Sequence, residues 1–301
     1  MNRTNTYRVE RWFLFMLTLT LFSACCIKED LSVCPRPFQL SVKAVDADEN
    51  DITASGAVKG VVMFVFDEKG TVMEAFELSA EQVKQKTPVQ ISVPYPGPKT
   101  LGCTAWGNLD ASVDFASIKS VKQKQDLYVK LKSADGIAES PSELFSGSLD
   151  IPVEFGGIEQ GQSHTVIIRH KVASVRIVAR KLSPAVVPSV KFVLRESPDT
   201  YDADGTLTGG MVSYKPPFSF DAEGQWVTPI FNTFPDAEGK SYALDLYWDG
   251  KLKKTFTHGT DGTPLVPQLG RLLNIIIDVD AQVAVKVVVT PWGVVHQDVE
   301  Y

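Results

Sequence analysis

Three of the four cysteines, Cys25, Cys26 and Cys34, fall in one short stretch, LFSACCIKEDLSVCP, and the fourth, Cys103, sits in the strand-like run KTLGCTAWGNL. A thiol can carry an acyl chain, pair in a disulfide, bind a metal or act as a nucleophile. Two adjacent thiols where an apolar run meets a charged one suit the first of these. The histidines His164, His170, His258 and His296 add little to the others. His164 and His170 stand six residues apart in a strand-like run, so they share a face but lie too far apart to converge, and no cysteine or carboxylate motif accompanies them. A metal needs a converging ligand set with a second shell, so neither metal nor cofactor is expected. Ser163-His164 reads as a loop pair, not as nucleophile and base. DADEND (46–51) and DADG (202–205) lack the twelve-residue calcium pattern closed by a bidentate Glu and read as solvated turns. Trp106, Trp226, Trp248 and Trp292 each lie in or beside a strand-like run, where burial in a core is favoured over stacking on sugars. With no glycine-rich phosphate loop either, the sequence assigns no catalytic residue and no small-molecule substrate.

The cysteine pair is positioned by what precedes it. Arg3, Arg8 and Arg11 make a basic start, Trp12 to Phe22 is uncharged and mostly apolar, and Ser23 and Ala24 are small, which is the three-part order of a secretory signal peptide. A spanning helix needs about 20 apolar residues, and Lys28, Glu29 and Asp30 arrive too early for that. LFSAC resembles the bacterial lipobox, in which the cysteine receives palmitate-type chains and becomes the new N-terminus, with Phe22 standing where leucine is usual. Cys25 is then the lipid carrier and Cys26 the alternative. Parity favours Cys26, because its modification leaves Cys34 and Cys103 as an even pair, whereas alanine is the more usual residue ahead of the cut and favours Cys25. More than one acyl chain gives stable anchoring. Residues 1–24 are read as the signal and 25–36 as a lipidated tether. In an exported, disulfide-permissive compartment, Cys34 and Cys103 are either bridged or two unpaired thiols.

The mature part is long enough for two domains. Its 30 basic and 36 acidic residues are scattered, without the basic stripe of a nucleic-acid binder. Runs of Val, Ile, Phe and Tyr bounded by Gly, Pro and Asp recur throughout: FQLSVKAV, VKGVVMFVFDEKGTVMEAFEL, TVIIRHKVASVRIVAR, RLLNIIIDVDA and VAVKVVVTPW are examples. Short helices are expected only at SAEQVKQK and between Asp114 and Gln125, and Asp249-Gly250 in YWDGKLKKTF signals a tight hairpin. Many short strands with few helices mean sheet packed on sheet. The expected architecture is two tandem antiparallel β-sandwiches, residues 37–157 and 158–301, divided at the glycine-containing polar stretch near 155–163.

CIKEDLSVCP after the lipobox, CTAWGNL, SHTVIIRHKVASVRIVAR and the closing VVVTPWGVVHQDVEY together resemble the anchor subunits of Bacteroidales fimbriae, the fimbrillin-A-associated anchor lipoproteins. The resemblance covers most of the chain. It implies transthyretin-like Greek-key sandwiches, a lipid anchor in the outer membrane facing the cell exterior, fimbrial shaft subunits as partners, and a structural role without catalysis. The alternative is a surface lipoprotein that binds glycan or another ligand through sandwich loops, since fold does not fix function. Lys28-Glu29-Asp30 is either a solvated spacer or similar to the acidic signals that carry some Bacteroidetes lipoproteins to the outer face. In the resembled fimbriae an arginine-specific protease removes an N-terminal strand from shaft subunits. Here Arg36 is the only arginine between the cysteine pair and Arg169, and Pro37 follows it, so the bond to be cut lacks an N–H and is stiff. The chain is expected to keep its first strand. Replacing Cys25 and Cys26 by Ser, singly and together, should release the protein from membranes in one single mutant and in the double. Continued membrane partition and fatty-acid uptake by the double mutant would refute acylation.

Overall fold

The computed structural model describes residues 33–94, 96–156, 161–182, 184–185, 189–236, 239–279 and 284–291. Cys25, Cys26, Trp292 and His296 lie outside them. In chain order the strands are β1 (Phe38–Ala44), β2 (Gly60–Phe66), β3 (Val72–Ser79), β4 (Val89–Ile91), β5 (Thr100–Gly107), β6 (Val113–Phe115), β7 (Tyr128–Leu131), β8 (Ser133–Ala134), β9 (Ile137–Ala138), β10 (Phe145–Pro152) and β11 (Gln162–His170). They continue as β12 (Ala173–Arg180), β13 (Val190–Asp202), β14 (Leu207–Tyr214), β15 (Ser219–Phe220), β16 (Trp226–Val227), β17 (Phe231–Thr233), β18 (Ala243–Trp248), β19 (Lys251–Phe256), β20 (Arg271–Asp278) and β21 (Ala284–Pro291). Among the described residues one α-helix, α1 (Ala80–Lys84), interrupts them, started by Ser79 and Gln82 in a capping box. No helix among the described residues is long and apolar enough to cross a membrane.

The first sheet runs β3-β2-β5-β10-β11-β1-β4 and folds over itself. The fold-over is at the β10–β11 contact, which is limited to Phe145↔His170 and Ser146↔Arg169. Phe38, Leu40, Val42 and Ala44 of β1 thereby face Val61, Met63 and Val65 of β2 and Leu101, Cys103 and Ala105 of β5 across one core. The second half holds two sheets, β15-β16-β12-β20-β21 with β17 also on β12, and β19-β18-β13-β14-β9-β8 with β7 on β13 and β6 on β7. Each half contains a seven-residue parallel ladder among its antiparallel ones, β1 with β11 and β12 with β20, and β9 adds a single parallel pairing to β14 (Ser213↔Ile137).

Three features depart from the sequence reading. The stretch near 155–163 is only the β10–β11 connection, and β11 behind it belongs to the first sheet, with Val166 and Ile168 in the first core. Strand partnership changes instead at Lys171-Val172, between β11 and β12. The two halves are also interleaved, because β6 to β9 leave the N-terminal half and pair with β13 and β14. Glycine and polar residues mark a loop, but they do not tell a hairpin from a domain linker. The Asp114–Gln125 stretch forms the end of β6 and irregular turns, with a 3-10 turn beginning at Lys124, where an α-helix had been expected.

The hairpins have a common device. Asp67 Oδ1 accepts the N–H groups of Lys69 and Thr71, Asp202 Oδ1 those of Asp204 and Thr206, and Asp221 Oδ1 those of Glu223 and Gln225. A glycine at positive φ follows each within the turn, Gly70, Gly205 and Gly224. The Asp249-Gly250 hairpin has φ of 50° and 72° at its two central residues, the mirror-image turn that suits twisted strands. Where β10 passes over β11, a Cβ on Gly147 would stand 1.9 Å from the Ile167 carbonyl oxygen. Gly147→Ala should therefore lower stability by about 3 kcal/mol, the upper range of overpacking, read as a fall in urea midpoint. Gly102→Ala, whose nearest neighbour would be 3.5 Å away, should change it far less.

Candidate functional site

The chain enters the fold through a short clamp. Pro35 and Phe155 form a β-bridge, Arg36 N–H donates to the Glu154 carbonyl (2.9 Å), Gly156 N–H to the Cys34 carbonyl (3.3 Å), and Gln162 N–H to the Pro37 carbonyl (2.7 Å). Since Pro35 and Pro37 have no N–H, Arg36 is the one backbone donor between them, and it is used. Its guanidinium also meets the Glu154 carboxylate at 2.6 Å. The Arg36-Pro37 bond is thus held in extended, bridged backbone.

β1 follows directly. It lies between β11, parallel over seven residue pairs, and β4, antiparallel over Phe38 to Leu40. Its far end is closed by Thr53, whose hydroxyl accepts the Ala44 N–H, and by Ile52, whose N–H donates to the Ala44 carbonyl. The alternation of FQLSVKA puts Phe38, Leu40, Val42 and Ala44 fully inside. Burial of a large apolar side chain contributes roughly 1.5–3 kcal/mol, so removal of this strand would open the first core.

The remaining candidates are dispersed. Cys34 and Cys103 are both free thiols in the structure. Cys34 lies in the clamp, whereas Cys103 points into the first core, where burial pushes its thiol up to about 12. His164 stacks on Phe38 with ring centroids 5.2 Å apart, and His170 packs on Phe145 at 4.4 Å. Ser163 faces out, on the opposite side of β11 from His164. In DADEND, Asp46 Oδ1 accepts the N–H groups of Asp48 and Asn50, the same closure as in DADG, so both acidic loops spend a carboxylate oxygen on their own backbone. Trp106 is fully buried against Tyr201, and Trp226 packs on Phe218 and Phe192. Among the described residues no three His, Cys, Asp or Glu side chains are grouped to hold a metal.

Interleaved antiparallel sandwiches entered through a clamped first strand define an all-β, two-part module. The model of the family of fimbrillin-A associated anchor proteins Mfa1 and Mfa2 matches residues 31–298, so the chain belongs to that family. Two Porphyromonas gingivalis proteins, each a major fimbrium anchoring subunit FimB, are 41% and 40% identical to it over the full length of both chains. The fimbrial anchor protein Mfa2 of Porphyromonas gingivalis shares the fold with a TM-score of 0.64 at 17% identity, covering 86% of this chain and 98% of that one. A solved protein of Bacteroides thetaiotaomicron does so with a TM-score of 0.67 at 19% identity, covering 87% and 98%.

One pair of titratable groups escaped sequence reading because its members are distant in the chain. Glu143 and His170 meet at 3.3 Å where β11 leaves the first sheet, beside Asp46, Asp48 and the Gly270-Arg271 turn of the second half. Burial raises the Glu143 carboxyl from 4.5 to about 7, with Lys59 opposing, and lowers His170 from 6.5 to about 4. Glu143 thus contributes stability that is full below pH 4.5 and lost as pH rises through 7. His170 contributes stability that is full above pH 6.5 and lost as pH falls through 4. The slopes cancel between 4.5 and 6.5, and above that only the Glu143 loss remains. Glu143→Gln should therefore gain about 1–3 kcal/mol relative to wild type on going from pH 5 to pH 8, measured by denaturant unfolding. A gain independent of pH would show that ionisation of Glu143 is not what is relieved.

Proposed function

We propose that this chain is the outer-membrane anchor of a fimbrium: it is acylated at Cys25, or alternatively Cys26, faces the cell exterior, and holds the base of a shaft built from other subunits. Kinship with the anchoring subunits over the whole chain is the observation that carries this reading. The role is structural and needs no catalysis. The clamp and β1 support a second part of it, that shaft growth ends here. A strand acceptor formed by loss of an N-terminal strand requires that strand to leave. In this chain it is paired along β11, its leading residues are covered by β4, and Pro37 guards Arg36, the one arginine between the cysteine pair and the strand.

Purification of the lipoprotein from native outer membrane should bring fimbrial shaft subunits with it, and the double Cys25→Ser, Cys26→Ser variant should shed fimbriae into the medium. Treated with the cognate arginine-specific protease, the wild type should stay intact at Arg36, and Pro37→Ala should become cleavable there. A wild type already cut after Arg36 that still holds fimbriae on the cell would overturn the growth-ending role. Absence of shaft subunits from the purified lipoprotein would overturn the anchor role itself.

A further inference from the structure

We propose that the end of the first sandwich at which the chain enters is a membrane-contact face, seated at the lipid headgroups of the leaflet that holds the acyl chains. The inference rests on the acylation reading above and adds to it an orientation and a surface. Strand direction brings several segments to this end. β1 begins here, β4 ends beside it (Phe38↔Ile91), β5 begins and β10 ends here (Thr100↔Pro152), and β11 begins here (Phe38↔Gln162). The segments beyond those strand ends expose Val33, Pro37, Pro94, Pro96, Pro152 and Phe155. Val33 is 47% and Phe155 36% accessible; Phe155 forms the bridge with Pro35, and Val33 stands two residues ahead of it.

Three physical features fit this surface to a lipid interface. An unsatisfied N–H is costly in a low-dielectric layer, and Pro37, Pro94, Pro96 and Pro152 have none to leave unsatisfied. Arg36 is matched by Glu154 at 2.6 Å, and exposed Lys99, whose carbonyl accepts the Val153 N–H, adds a cation at the same end, where headgroup phosphates would meet it. Glu68 at its margin accepts the backbone N–H groups of Lys99 and Thr100.

Chain length decides which end faces the membrane. Cys25 precedes Val33 by eight residues, which span at most about 28 Å when fully extended. The strands of the sandwich, seven to nine residues in β1, β5, β10 and β11, are themselves about 25 Å long. A tether that matches the length of the sandwich only at full extension favours the near end at the bilayer. The far end is occupied: Asp48 pairs with Arg271 and Gly270 N–H donates to the Val172 carbonyl, which joins it to the second half.

The test places a photo-crosslinking phenylalanine analogue at position 155 of the full chain, at position 33 as a second site, and at Met211, an exposed position on β14 of the second half, as reference. The acylated protein is reconstituted in vesicles of phosphatidylethanolamine with a minor share of phosphatidylglycerol and irradiated. Lipid adducts should form at 155 and 33 several-fold more than at 211, and mass spectrometry of the N-terminal peptide should show the acyl chains. Equal yields at all three positions with the acyl chains present would overturn the contact face and leave acylation standing. An N-terminal peptide without acyl chains would overturn both.

Discussion

The structure depends on a sheet that is buried on both faces. β2 and β5 present Met63, Val65, Leu101 and Cys103 to the first core, while Phe64, Phe66 and Trp106 on their other face enter a second core. That second core is completed by residues far along the chain, among them Val175, Phe192, Leu194, Tyr201 and Leu273. Because neither face of β2 and β5 is solvated, neither half of the molecule can close its apolar surface alone. Excursion of β6 to β9 into the second half follows from the same requirement, since Val113, Val121, Val129 and Leu131 fill the space between Trp106 and β13. Two compact sandwiches on a flexible link would have no use for such an exchange.

This double burial also explains what could and could not be read from the residues. β1 alternates, because one face is half-exposed, and its strand was evident in FQLSVKA. VVMFVF shows apolar residues at consecutive positions, which identifies a strand buried on both sides but does not say which distant segment covers the second face. The hairpins were legible because their chemistry is local: an aspartate that accepts two nearby N–H groups and a glycine at positive φ. The boundary was misplaced because it depends on β11 pairing with β1, more than a hundred residues earlier, and nothing in EFGGIEQGQSH encodes that register. The Glu143–His170 contact and the exposed Phe155 were hidden for a similar reason, since both acquire meaning only from neighbours brought in by topology.

The two halves share a rule of closure. In each, the opening strand lies parallel to a much later one, β1 to β11 and β12 to β20, with seven residue pairs apiece. Parallel partners begin at one end and finish at the other. A chain that enters the first sandwich at Phe38 therefore leaves it at His170 on the opposite side, and the second half is carried away from the point where the tether arrives.

That polarity would acquire a mechanical meaning if the N-terminus is held in a membrane, as proposed above, and the far half is pulled. Tension draws β1 toward the tether and β11 away from it along their common axis. The ladder between them is then loaded in shear, with its hydrogen bonds sharing the force at once, instead of being unzipped one after another from an end. Arg36 and Glu154, with the Arg36 and Gly156 backbone donors, stand at the first point where such a pull reaches the fold. The pairing that closes the first core is thus also one that meets a pull between the chain's entry and its far half in shear.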